Sequence, residues 1–324
     1  MSTTINQPST QAQWLSAGLA KSFELRNALE LALMDGLDTL PSMGQAIDLT
    51  GMNTTAMRMP YASGIGVSKR MTASGGETSI NAASTYDVGY SAVSVGQYDL
   101  AYTQSVQNQV IGGDGTVLTL DMLKEMLPAN AIATLRYLYC TAGSGISVTT
   151  VGSGSSANLD ADDMYDLAAA ITSRLGSGRL GKPVATLDPE QWNHARAAFR
   201  SEPAYVQNLG GFLGVQAAKQ DQMLGDPLGL GFDIQITDDV VQDSGAYKGF
   251  CVSAGAIRRV KADPSRARIP AAASPIFLPD FGIVVYDLLD GLGSARLGWQ
   301  ALGFMGAALA NSDVSLQILV TSKI

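Results

Sequence analysis

The sequence predicts an α+β protein. Three observations carry that expectation. One long stretch, Thr119 to Tyr139, has apolar residues at helical spacing. Many short runs alternate apolar and polar residues as strands do. A compact segment from Leu159 onward then mixes both signals. The chain has 324 residues and is 46% hydrophobic. At about 150 residues per domain this is roughly two domains' worth of material, enough for a core without metal or disulfide staples.

From about Ser9 to Leu37 the chain reads as helix. Trp14, Ala17, Leu19, Phe23, Leu25, Leu29 and Leu33 recur at roughly helical spacing, and Asp35-Gly36 supplies a stop. The stripe is broken, which leaves room for an extended part. Ile47 to Gln104 is rich in Gly, Ser, Thr and Ala. Thr55 to Tyr61 and Tyr86 to Val95 read as strands, with the polar segment Ser63 to Ala83 between them. Two strands with a long tip make an extended hairpin. It has too few large apolar residues for its own core, and an isolated hairpin is marginal in water.

In the long helix, Leu120, Leu123, Leu127, Ala131, Leu135 and Leu138 form the apolar stripe, and Pro128 is expected to bend it. Gly143 to Ser156 reads as a loop with a short strand at Ile146 to Val151. Asp160 is an N-cap, Leu159 and Met164 fit a hydrophobic staple, and Met164, Leu167, Ala168, Ile171 and Leu175 face one way until Gly176. Pro183 to Leu187 reads as a buried strand. Asp188-Pro189-Glu190-Gln191 then starts a helix, with Asp as N-cap and Pro at the first helical position. Phe232 to Ile236 and Lys248 to Ser253 read as strands. So do Ile283 to Tyr286, Trp299 to Phe304 and Val314 to Val320. These last three are expected to return to the sheet around the long helix, leaving the intervening α+β unit as an insertion.

Acids outnumber bases 29 to 21, for a net charge of −8. A surface that grips nucleic acid all over is therefore excluded, because phosphate binding needs Lys and Arg. The chain has one histidine, His194, and two cysteines, Cys140 and Cys251. Zinc sites built from four cysteines, or from two cysteines and two histidines, are therefore excluded, as is any disulfide framework. The N-terminal residues carry no basic and apolar signal regions, and no stretch reaches the ~20 apolar residues of a membrane span. The expectation is a soluble chain made in the cytoplasm.

Few motifs suggest chemistry. Gly176 to Gly181 matches G-x-G-x-x-G, but it follows a helix and precedes a strand, the reverse of a dinucleotide site, so it reads as a helix-ending loop. His194 is available as a general base, yet no G-x-S-x-G elbow accompanies it. Asp160, Asp162 and Asp163 read as first-turn acids rather than a metal cluster. Asn53-Thr-Thr is a formal glycosylation sequon without meaning in an unsecreted chain. The basic run Arg258, Arg259, Lys261, Arg266 and Arg268 reads as a subunit interface, a phosphate contact or a solvated loop. Lys69, Arg70 and Glu77 on the hairpin arm read as inter-subunit contacts, since an arm without a core finds its order against something else.

The order of these parts resembles the HK97-fold major capsid proteins of tailed bacteriophages. The stretches that carry the resemblance are Thr119–Leu127 (TLDMLKEML), Leu159–Leu167 (LDADDMYDL), Val184–Trp192 (VATLDPEQW), Gly231–Val241 (GFDIQITDDVV) and Gly249–Ser253 (GFCVS). The resemblance implies an N-terminal arm at 1–46, an E-loop at 47–105, a P-domain with its spine helix at 106–156, an inserted A-domain at 157–275, and returning P-domain strands at 276–324. It implies a non-enzymatic subunit, without cofactor or metal, that assembles with copies of itself into hexamers and pentamers. These would close an icosahedral head around double-stranded DNA held without sequence-specific contacts. The implied partners are a separate scaffolding protein, a portal protein and, in some members, a decoration protein. The implied location is the virion, after assembly in the host cytoplasm. Some members cross-link an E-loop Lys to a neighbour's Asn; Lys69 and Asn311 are the available residues. An encapsulin-type shell around cargo protein is the alternative on the same fold, and an α+β enzyme using His194 is the alternative on another.

Overall fold

The computed structural model describes residues 26–37, 40, 43–50, 56–63, 87–104, 115–174, 182–201, 222–223, 225, 229–266, 275–287, 298–309 and 316–324. Within them the protein is α+β, with four helices and fifteen strands among the described residues. It divides into two compact units. The first takes Met1–Asp38, Gly96–Thr134 and Lys261–Met305; the second takes Thr39–Val95, Leu135–Val260 and Gly306–Ile324.

In the first unit, helix α1 covers 26–37 and α2 begins at Gly115 and runs to Ser144. Leu29 and Leu33 are fully buried on α1. Gly36 continues that face, where a Cβ would overlap the Ile132 side chain of α2. Of the expected stripe of α2, Leu127, Ala131 and Leu135 are buried, Leu138 is only half-buried with Tyr139 buried in its place, and the side chains of Leu120 and Leu123 lie outside the described residues; the helix continues through Pro128. The sheet of this unit has the order β12 (Ile276–Leu278), β13 (Ile283–Asp287), β14 (Gly298–Leu309) and β4 (Gly96–Gln104), all antiparallel. Between Ala301 and Leu302 the register of β14 on β4 shifts, and Leu100 is the extra residue of a bulge. A bulge leaves a backbone group without a ladder partner. Here the Asn130 side-chain amide of α2 donates to the Leu100 carbonyl at 2.6 Å.

The second unit is built on a sheet of order β5 (Thr150–Val151), β15 (Gln317–Lys323), β10 (Ala246–Val252), β6 (Val184–Leu187), β8 (Asp233–Ile236) and β7 (Gln222–Met223), with β9 (Gln242–Asp243) on β10. Pairs β5–β15 and β6–β8 are parallel; β15–β10, β10–β6 and β8–β7 are antiparallel. Helices α3 (Ala161–Arg174) and α4 (Pro189–Ser201) supply Met164, Leu167, Ile171, Trp192, Ala195 and Phe199 to a core completed by Ala185, Leu187, Ile234, Ile236, Cys251, Ile318 and Val320 of the strands. From the end of α2, Tyr139 meets Phe250 edge to face at 5.1 Å. Gly143 allows that approach, since a Cβ there would enter the Phe250 ring. This explains why α2 runs to Ser144 although the sequence suggests a loop from Gly143. Of the strand expected at Ile146 to Val151, only Thr150–Val151 forms.

One placement differs from the sequence expectation. β15 does not return to the sheet beside the long helix; it lies between β10 and β5 in the second unit. Its residues Gln317, Ile318, Val320, Thr321 and Ser322 are buried on both faces, as a central strand requires. Gln317 to Lys323 pairs residue for residue with Val252 to Ala246. The 276–324 segment is thus shared, with 276–305 in the first unit and 306–324 in the second.

The helix starts are built as expected. The Asp160 Oδ1 accepts the Asp163 N–H at 2.9 Å, and the Asp163 Oδ2 accepts the Asp160 N–H at 3.2 Å. At α4 the Asp188 carboxylate accepts the Glu190 N–H at 2.8 Å, and the Gln191 Oε1 accepts the Asp188 N–H at 3.2 Å, a reciprocal box. Burial pushes the Asp188 carboxyl above its ordinary value. The Glu190 N–H opposes this, and the charges of Glu190 and Asp238 add to it. The folded chain therefore holds this proton to higher pH than the unfolded chain does. The stabilisation is complete below the ordinary carboxylate value and is lost as pH rises through the raised one. Asp188→Asn keeps the cap acceptor and removes the charge. By urea unfolding it is expected to be at least as stable as the parent at pH 7, with the difference vanishing toward about pH 4, whereas Asp188→Ala loses about 1 kcal/mol. An Asn variant weaker than the Ala variant at pH 7 contradicts this.

Candidate subunit-contact surfaces

Two surfaces were singled out by sequence, a basic run and a hairpin. The first part of that run lies on strand β11 (Ile257–Lys261), whose Ile257 and Val260 are fully buried. Arg258 is exposed and Arg259 half-buried, and burial along β11 does not follow a period of two. Lys261 has a job within the chain: its Nζ donates to the Pro279 carbonyl at 3.0 Å and lies 3.5 Å from the Asp280 carboxylate. Among the described side chains of the run Arg258 is thus the most exposed, while Lys261 fastens its own unit. The side chain of Arg266 and all of Arg268 lie outside the described residues.

The hairpin is β2 (Ala56–Ser63) against β3 (Asp87–Ser94), a two-stranded ladder of eight consecutive pairs from Ala56↔Ser94 to Ser63↔Asp87. It joins no other sheet among the described residues. At its base Val93 and Val95 pack with Leu49, Val260 and Ala308 in a small cluster of the second unit. Backbone closeness fixes this base: a Cβ on Gly306 would overlap the Ser94 carbonyl oxygen. β1 (Met43–Asp48) forms an outer strand beside β11. Lys69, Arg70 and Glu77 lie in 64–86, outside the described residues, as does Asn311.

The candidates for chemistry resolve differently. His194 is half-buried on α4, and its Nδ1 is buried without a hydrogen-bond partner. No Ser–His or Cys–His hydrogen bond forms among the described residues. Asp160 and Asp163 cap α3, and burial raises the Asp163 carboxyl above its ordinary value, with the charges of Asp160, Asp166 and Asp162 adding to it and the Asp160 N–H opposing. No group of three or more His, Cys, Asp or Glu among the described residues is placed to hold a metal ion. The Gly176–Gly181 motif lies outside the described residues. Cys140 and Cys251 are both buried and outside any disulfide, and burial pushes the Cys251 thiol far up, which keeps it protonated and inert. No described helix is long and apolar enough to cross a membrane.

Sequence reasoning missed the buried polar contacts. The Tyr139 hydroxyl, the Thr186 hydroxyl and the Gln235 Oε1 form a chain of 3.4 Å contacts joining α2, β6 and β8. The Gln191 amide reaches the Ser322 hydroxyl at 3.0 Å. No sequence signal marked them: Gln235 alternates with Asp233 in an apolar–polar strand pattern, which reads as an outward-facing position.

No family model matches the chain, and no curated protein matches it by sequence. Solved structures do match. The chain is similar to a subunit of the mature capsid of bacteriophage PhiM1, with a TM-score of 0.52, 9% identity and 86% of each chain covered. It is similar to the capsid chain of an empty GTA particle, with a TM-score of 0.51, 10% identity, and 88% of this chain and 90% of that one covered. It is also similar to the virus-like particle from Pyrococcus furiosus, with a TM-score of 0.50, 10% identity, and 92% of this chain and 97% of that one covered. The fold is that of capsid and particle shell subunits. The α+β fold implied by the sequence is the one found, and it matches that of these capsid and particle chains.

Proposed function

We propose that the chain is a major-capsid-type shell subunit that assembles with copies of itself. The observation that carries this reading is the shared fold over at least 86% of both chains with shell subunits, rather than over one common motif. A ladder with no sheet of its own adds support, because two strands alone are marginal in water. In this reading the subunits form hexamers and pentamers that close an icosahedral head around double-stranded DNA. Repeated modest interfaces close by symmetry without free edges. The β2–β3 hairpin with 64–86 serves as the E-loop and 1–46 as the N-terminal arm. Helix α2 with the β12–β13–β14–β4 sheet serves as the P-domain, and the sheet carrying α3 and α4 as the A-domain, with β15 its last strand. Arg258 and Arg259, with Lys69, Arg70 and Glu77, contact neighbouring copies. Lys261 contributes indirectly, by holding the end of β11 in place. A separate scaffolding protein, a portal protein and in some settings a decoration protein are the further partners, and the virion is the location after assembly in the host cytoplasm. The subunit is not an enzyme in this reading.

Negative-stain microscopy of the expressed chain, with and without a candidate scaffolding protein, tests the proposal. Rings or closed shells are expected; a monomer under both conditions overturns it. A cargo shell of the encapsulin type is the second reading, supported by the match to a virus-like particle rather than a phage head over 92% of this chain and 97% of that one. Particles filled with protein and free of nucleic acid would select it.

A further inference from the structure

We draw no further inference here: the strongest candidate, the acidic cluster of Asp188, Glu190 and Asp238 beside the Tyr247 hydroxyl where β6 and β8 end and α4 begins, carries nothing, because Asp188 is engaged as the cap of α4, Glu190 accepts the Tyr247 hydroxyl at 2.7 Å, and no second observation among the described residues points to a ligand.

Discussion

Trp192→Ala is expected to lower the unfolding free energy by about 3–5 kcal/mol. Trp192 is the largest fully buried side chain of the described core. It sits one turn into α4, where its N–H donates to the Asp188 carbonyl at 3.0 Å as the first helical bond. It therefore couples the α4 cap to the core that α3 and the central strands share. Removing the indole takes away its transfer energy and leaves a cavity that surrounding strands cannot fill without breaking ladders. Against a total stability of about 5–15 kcal/mol this is a large fraction. Urea unfolding followed by far-UV circular dichroism measures it. A loss under about 1 kcal/mol would mean that the site collapses freely, contrary to the packing described.

Gly152→Ala is expected to cost about 2 kcal/mol or more, for two separate reasons. Its φ is +96°, a conformation that side chains other than glycine rarely adopt. A Cβ there would also overlap the Thr321 carbonyl oxygen of β15, a backbone atom that cannot rotate aside. Gly154 is the internal comparison: its φ is +62°, yet nothing lies within 4 Å of its added Cβ. Gly154→Ala is expected to cost only about 1 kcal/mol, from backbone conformation alone. Thermal unfolding of the two variants separates the effects. Equal losses would show that the close approach of β5 to β15 is not tight.

These contrasts also show which parts of the fold were legible in the sequence. Local signals were. Asp160 and Asp188 cap α3 and α4 through their own side chains, and Met164, Leu167 and Ile171 face the core as their spacing dictates. The strand pairs on either side of 64–86 were also legible, because alternation and composition are local properties. Long-range choices were not. Val314 to Val320 looks like a strand whichever sheet receives it. Only pairing with β10, through Ile318↔Cys251 and Val320↔Gly249, decides the matter. Gly143 looks like a loop residue until Phe250, over a hundred positions away, requires its missing side chain. The contact surfaces were less legible. Burial along β11 does not follow a period of two, so the exposure of Arg258 could not be read from its neighbours, and the capture of Lys261 by Pro279 and Asp280 depends on a turn distant in sequence.

Mass photometry of the purified chain at neutral pH tests the central claim most directly. The shell reading predicts a discrete population at high multiples of the subunit mass, with rings as intermediates and few free subunits above the assembly concentration. A single population at the mass of one subunit, unchanged on raising protein concentration or adding a candidate scaffolding protein, would contradict it.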